Sequence, residues 1–402
     1  MSNNSMSTSS TSNNSMSNNE AITRQTTTSQ SIQRAPADIL YKEELAAIIE
    51  SEAADEQASG KPRRPIPAGW QMSMLGVRDF ILGHARLGIA PKLVCPPSLI
   101  ERALVTLASQ RALLLIGEPG TAKSMLSELL AAAISDNSTL TVQGSAATSE
   151  DQIRYGWNYG LLLNEGPSMK ALVPSPIMRG MLEGKIVRFE EITRCPPEVQ
   201  DSLLSILSER LMMVPELAGC ENNSRTIYAN AGFNVIATAN TRDKGVNEMS
   251  AALKRRFAFE TIFPIAHIND EMQLVKRQVK RLLAEQNLDI TPSDEVVDIL
   301  VTLFRELRTG IKTSGNAIEK LSTTLSTAEA VSAVHAVTLH GYYLRGDAGT
   351  PADILNAILG SAIKDDADDK QKLRRHIDHH IKERAGSGWQ ALYESRLALF
   401  DV

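Results

Sequence analysis

At 402 residues, with 43% hydrophobic content and 47 acidic against 42 basic side chains, the chain is long enough for two or more packed domains. A net charge of −5 lacks the basic stripe that nucleic acid selects, and no apolar run reaches the length of a membrane span. Cys95, Cys195 and Cys220 are too far apart to suggest a disulfide framework or a zinc motif, so a cytoplasmic protein with reduced thiols is expected, with no membrane segment and no nucleic-acid partner.

Residues 1–35 are almost all Ser, Asn, Thr, Gln and Met, too polar to offset the entropy of ordering, and predict a disordered tail. Residues 36–95 read as a helical arm and linker. Ile39, Leu40, Leu45, Ile48 and Ile49 give one amphipathic helix, and Lys61 to Pro67 a stiff proline-rich joint whose basic residues are solvated. Trp70 to Leu87 and Pro97 to Ser109 predict further helices.

Gly117-Glu118-Pro119-Gly120-Thr121-Ala122-Lys123-Ser124 follows the apolar run Leu113 to Ile116 and precedes a helix pattern over Met125 to Ala133. Strand, glycine loop and helix form the context of a P-loop. Backbone N–H groups of such a loop converge on a phosphate chain, and the helix N-terminus adds a favourable dipole. Lys123 then reaches the β- and γ-phosphates of ATP, and Ser124 offers its hydroxyl to Mg²⁺. Ala122 stands where glycine is usual; a helical backbone, which suits alanine, is expected there.

Thr139 to Val142 predicts a short strand, and Ser145 to Glu183 a long irregular segment broken by glycines and prolines. Within it Tyr155, Trp157 and Tyr159 read either as packing or as a substrate-gripping cluster. Gly184 to Glu191 is an apolar strand ending in two carboxylates, at the end where ligands bind in open parallel sheets. In P-loop ATPases the first acid supports the Mg²⁺ shell and the second polarises the attacking water; Glu190 and Glu191 fit, although the first is ordinarily Asp. Pro196 to Leu211 predicts one helix, and Leu211 to Val214 with Thr226 to Ala229 a hairpin. Phe233 to Asn240 is another buried strand, with Asn240 placed to hold a water near the γ-phosphate. Met249 to Arg256 predicts a short helix ending in Arg255 and Arg256. A helix-end arginine either complements the helix dipole or completes a neighbouring subunit's site. Beyond Asn269 four helices are predicted, then an acidic helix start at Asp365 to Asp369. His376, His379 and His380 near Asp378 follow at helical spacing, read as a basic surface helix or as a metal site.

In this order the motifs resemble the AAA+ ATPases, and within them the MoxR-like branch grouped with dynein-related single-module ATPases. The carrying residues are the P-loop at 117–124, Ile-Thr-Arg-Cys-Pro-Pro-Glu-Val-Gln-Asp-Ser-Leu-Leu at 192–204, Ala-Thr-Ala-Asn-Thr-Arg-Asp at 237–243 and Ala-Leu-Lys-Arg-Arg-Phe at 252–257. The resemblance spans roughly residues 96–345. It implies an α/β P-loop NTPase core, a parallel sheet flanked by helices over 96–266, with an all-α lid over 267–360. A helical extension over 361–402 lies outside it. Also implied are a homo-oligomeric ring, commonly a hexamer, with Arg256 as arginine finger and Arg255 as its rival, and chaperone-like remodelling of protein clients alongside a von Willebrand factor A domain partner. The family's second-sensor arginine is replaced by Ser326-Thr327-Ala328-Glu329. Two other functions stay open: a structural or regulatory ring stabilised by nucleotide, and a nucleic-acid motor.

Overall fold

The structure, a computed structural model, describes residues 34–59, 64–217, 226–240, 247–323, 325–361, 363 and 366–397. Four helices lead in: α1 (Ala37–Leu40), α2 (Lys42–Ser59), α3 (Met74–Leu82) and α4 (Pro97–Ala108). Strand β1 (Ala112–Gly117), helix α5 (Lys123–Ser135) and strand β2 (Thr141–Gln143) follow. The connection to β5 (Ile186–Glu190) contains α6 (Glu150–Ile153), β3 (Tyr155–Trp157), α7 (Tyr159–Glu165), β4 (Leu172–Pro174) and α8 (Pro176–Glu183). Next come α9 (Pro197–Asp201), α10 (Leu203–Glu209), β6 (Leu211–Met213), β7 (Thr226–Tyr228), β8 (Asn234–Asn240), α11 (Ala251–Lys254) and β9 (Phe257–Ile262). The C-terminal region is helical: α12 (Ile268–Glu285), α13 (Asp294–Thr309), α14 (Thr327–Arg345), α15 (Ile354–Ser361), α16 (Ala367–His376) and α17 (Ser387–Ser395).

The main sheet runs β2-β5-β8-β1-β9 with every pair parallel. Its central strands read as continuous apolar runs because helices cover both faces. Helix α5 is buried almost all round, packing on β1, β5 and β8 and also on α1 and α3. Polar contacts fix the arm there: Ala37 N–H donates to Glu128 Oε1 at 3.0 Å, and Ser138 N–H to Asp38 Oδ1 at 2.9 Å. A separate apolar core, built on Val275, Leu300, Phe304, Val334 and Leu373, holds the C-terminal helices together. Among the described residues no helix is long and apolar enough to cross a membrane.

Several local expectations change. The arm pattern divides into α1 and α2, and Ile39 is exposed while Leu45 and Ile48 are buried. The helix expected from Trp70 starts only at Met74, because Ser73 Oγ caps it by accepting from Gly76 N–H at 3.1 Å. Residues 145–183 are ordered rather than irregular. Their glycines and prolines act as caps, with Ser175-Pro176 opening α8 and Gly184 closing it in a left-handed conformation. Tyr155 and Trp157 pack edge to face, 5.9 Å between centroids, whereas Tyr159 is exposed. The single helix expected over 196–211 breaks at Ser202, whose hydroxyl donates to Val199 O at 2.7 Å. The hairpin of β6 and β7 forms as expected, antiparallel. Helix α11 is shorter than the pattern suggests.

Cys95 is half-buried and Cys195 buried, both free thiols; Cys220, Lys61 to Arg63, Thr241 to Asp243 and residues 1–33 of the tail expected over 1–35 lie outside the described residues.

Candidate active site

Parallel register carries Gly117, Glu190 and Asn240 to the same edge of the sheet, with Gly117 directly beside Asn240. From β1 the chain reverses through Gly120 (φ +74°) and Ala122 (φ +66°) into α5. Ala122 is therefore left-handed, not helical as expected; the tight reversal demands positive φ, which is why glycine is usual there. No side chain caps α5, so the first N–H groups of the helix remain for an anion. Lys123 is 7% exposed, and its Nζ donates to Gly117 O at 3.1 Å and Glu118 O at 2.8 Å, which holds the ammonium inside the curve of the loop.

Glu190 is 5% exposed and fully caged. Its Oε2 accepts from Ser124 Oγ at 2.7 Å and Thr238 Oγ1 at 2.8 Å, and its Oε1 from Ser127 Oγ at 2.7 Å and Arg188 Nη2 at 2.8 Å. Burial alone would raise its pKa; the hydroxyls of Ser127 and Ser124, the Arg188 charge and the Thr238 hydroxyl outweigh that and hold it below the usual value. Ser127 and Arg188 hold one oxygen of Glu190, and the other lies against Ser124 and Thr238. Two hard oxygens side by side are the donor set a divalent cation such as Mg²⁺ takes.

Glu191 follows in a left-handed conformation (φ +55°), uncommon for a non-glycine residue. Its N–H donates to Thr238 Oγ1 at 2.9 Å, so one hydroxyl orients both acids. Its carboxylate, 30% exposed, is ion-paired with Arg194.

Residues 112–257 match the AAA domain of the dynein-related subfamily, and residues 269–400 match the YehL-like AAA+ ATPase C-terminal domain. Over 365 residues the chain is 50% identical to the uncharacterized protein YehL of Escherichia coli (strain K12), covering 91% of this chain and 97% of YehL. The chain belongs to the YehL-like AAA+ ATPases. It is also 26% identical to the uncharacterized protein YojN of Bacillus subtilis (strain 168), over 51% of this chain and 61% of YojN. NtrX from Brucella abortus in complex with ADP aligns at TM-score 0.44 and 14% identity, over 77% of this chain and 66% of that one.

In this AAA+ chain the two candidate arginines lie at the far end of β9. Ala112 pairs with Phe257 and Gly117 with Ile262, so the P-loop is one strand length away, about 16 Å at roughly 3.3 Å per residue. Neither arginine reaches its own P-loop. Arg256 donates from Nε to Ser208 Oγ at 2.7 Å, while Arg255 is exposed and its side chain, among the described residues, has no hydrogen-bond or ion-pair partner. Asn240 is half-buried at the end of β8.

The helical region closes over the P-loop. Ser326 caps α14 in a capping box with Glu329 and lies so close to Gly120 that a Cβ there would stand 2.1 Å from the Ser326 Cβ. A pocket between them is lined by Val94, Thr121, Phe263, Leu274, Ser326 and Arg308. Arg308, from the last turn of α13, forks onto Glu271 at 3.1 and 3.0 Å and donates to Leu325 O at 3.1 Å. In sequence it reads as an ordinary basic helix end. Ser127, Arg188 and Thr238 were equally silent, although Arg188 and Glu190 share a strand face and Ser127 follows Ser124 by three helical positions.

Proposed function

We propose that this chain is a ring-forming ATPase of the MoxR-like type that couples Mg²⁺-dependent ATP hydrolysis to chaperone-like remodelling of partner proteins, a von Willebrand factor A domain protein among the candidates. The observation that carries the reading is the contact of Ser124, in the first turn of α5, with Glu190 at the end of β5, followed at once by a second acid, Glu191; β8 lies between β5 and the P-loop strand β1. Gly117 to Ser124 bind the triphosphate through backbone N–H groups, and Lys123 exchanges loop carbonyls for phosphate oxygens. Ser124 and Glu190 would hold Mg²⁺, which when bound neutralises phosphate charge. Glu191 takes the proton of the attacking water, Asn240 orients that water, and Arg255 or Arg256 enters from a neighbour in a ring, hexameric in this reading. Arg308 is the cation that the helical region brings to the nucleotide pocket, in place of the second-sensor arginine. Division into an arm (36–95), nucleotide-binding domain (96–266), lid (267–360) and extension (361–402), with cytoplasmic residence, belongs to the same reading; the separate helical core, which takes in residues of both lid and extension, supports only the boundary near 266.

The Arg194–Glu191 ion pair favours a second reading, a regulatory ring in which turnover is incidental. Steady-state ATP hydrolysis by the full chain, alone and with Glu191→Gln or Lys123→Ala, separates them. Remodelling by hydrolysis requires turnover that Glu191→Gln abolishes while ATP binding persists, and Lys123→Ala loses binding. Equal turnover by the wild type and Glu191→Gln would remove Glu191 from its role.

A further inference from the structure

Helix α16, the residues just after it and the loop at Ile318 and Glu319 line a second cavity, open on one side, that the nucleotide site does not use. Its floor is His376, the last residue of α16, whose side chain is 3% exposed. Both ring nitrogens lack a hydrogen-bond partner among the described residues. This corrects the expectation of a basic surface helix at that position. A neutral imidazole offers one N–H donor and one lone pair, and the interior of a folded protein rarely leaves either unmet.

Glu306 is the nearest carboxylate, with Oε2 3.6 Å from His376 Nε2, beyond hydrogen-bond length. It is already committed: Arg384 Nη2 donates to both its oxygens at 2.6 Å, and Thr313 N–H and Oγ1 reach Oε1 at 2.9 Å. Ile377–Ile381 forms a π-turn, a rare widening often found at functional sites. It brings the His376 and His380 rings to 5.4 Å and those of His379 and His380 to 6.4 Å. The cavity measures about 130 Å³, roughly ten times the 10–15 Å³ that one water needs.

We propose that this cavity binds a small oxyanion of the phosphate type, held by His376 at its floor and by Lys372 and Arg375 at its rim. Glu319 is the one acidic residue in the lining, and it is neutralised by Arg375, whose Nη2 and Nε donate to it at 2.7 and 3.0 Å. Lys372 is paired with Asp368 at 2.6 Å and lies 3.7 Å from Asp369; binding an anion would require its flexible stem to turn inward from them. A phosphate oxygen accepts from one imidazole N–H of His376; the two ring nitrogens point too far apart for a single ion to reach both. A metal fits poorly: among the described residues no group of three or more His, Cys, Asp or Glu converges on one point.

Burial pushes His376 down to about 4; Glu306 opposes this, while His380, Arg384 and Lys312 add to it. His379, Lys372 and Arg375 also face the cavity, balanced by Glu319. An anion inside would screen these cations and draw His376 back toward its ordinary range. Oxyanion binding therefore takes up a proton and tightens as pH falls.

The test is titration calorimetry of inorganic phosphate into the full chain, with the P-loop saturated by a non-hydrolysable ATP analogue and ionic strength held with chloride. One saturable phosphate per subunit is expected. Arg375→Gln and Lys372→Gln should each weaken it about tenfold, the worth of one charge-assisted hydrogen bond, and His376→Gln should abolish it. Sulfate, which does not titrate near neutrality, should bind more tightly at pH 5.5 than at pH 7.5. Phosphoserine in a parallel titration distinguishes the source: binding extends the site to phosphate monoesters, and exclusion with phosphate retained assigns the free ion, either agreeing with the proposal. Should His376→Gln fail to fold, the half-exposed Arg375 decides. Absence of saturable phosphate binding, or affinity unchanged in the rim variants, would overturn it.

Discussion

Ala122 holds a left-handed backbone at the entrance to α5, where L-residues other than glycine are strained by roughly 1–2 kcal/mol. Glycine would relieve that strain but lose more chain entropy on folding. Ala122→Gly is accordingly expected to stabilise the chain by about 0.5–1 kcal/mol, read as a raised denaturation midpoint; a lowered midpoint would show that the loop depends on the Ala122 methyl, which packs against the arm-side core. His376 gives a pH signature at the same scale. Unfolded, its imidazole titrates near 6.5; folded, near 4. Between those values the unfolded chain binds more protons, so stability falls as pH drops through that window, by on the order of 3 kcal/mol in total. Phosphate should shrink the loss, and His376→Gln should flatten it.

At the scale of elements, the acidic run before α16 is a docking device rather than a solvated start. Asp366 caps the helix, accepting from the N–H groups of Asp368 and Asp369 at 3.0 Å. Asp369 is fully buried and accepts from Ser322 N–H and Thr323 N–H at 2.8 Å and from Ser322 Oγ at 2.9 Å. Burial works to raise its pKa, yet these bonds bring it down to about 2. Its contribution is present above the ordinary carboxylate value and lost as pH falls from about 4 to 2, a window below that of His376. Asp369→Ala removes the acceptor of three charge-assisted hydrogen bonds from Ser322 and Thr323 and should cost on the order of 2 kcal/mol in denaturant unfolding; an unchanged midpoint would show α16 held by its apolar face alone. The same elements show what is legible in a sequence. β1, β5 and β8 announce themselves because a strand covered on both faces is mostly apolar, and the residues that end them, Gly117, Glu190 and Asn240, then mark the site. The cage around Glu190 is not legible: Ser127, Arg188 and Thr238 meet it only through parallel register and α5 packing. Residues 145–183 mislead because glycine and proline serve as well at the ends of short elements as in loops. The break at Ser202 is invisible because the apolar pattern runs on through it.

For the whole molecule, the position of the arginines decides what a single chain lacks. Arg255 and Arg256 sit about one strand length from their own P-loop, so in the proposed mechanism an isolated subunit would hold the phosphate loop and both acids without the charge that a finger supplies. A finger is worth roughly 10³–10⁵ in rate; specific activity should therefore rise with protein concentration as subunits assemble. Arg255 and Arg256 differ in readiness, since Ser208 restrains Arg256 and Arg255 projects freely among the described residues. The most direct measurement is ATP turnover in rings mixed from two inactive variants, Lys123→Ala and the double variant Arg255→Ala/Arg256→Ala. Where an intact arginine pair from the first faces an intact P-loop from the second, a complete site is rebuilt. Partial recovery of turnover, growing with the fraction of mixed interfaces, is the predicted result. Rings demonstrably mixed yet silent, or the double arginine variant hydrolysing ATP at the wild-type rate, would contradict a site completed by the neighbouring subunit.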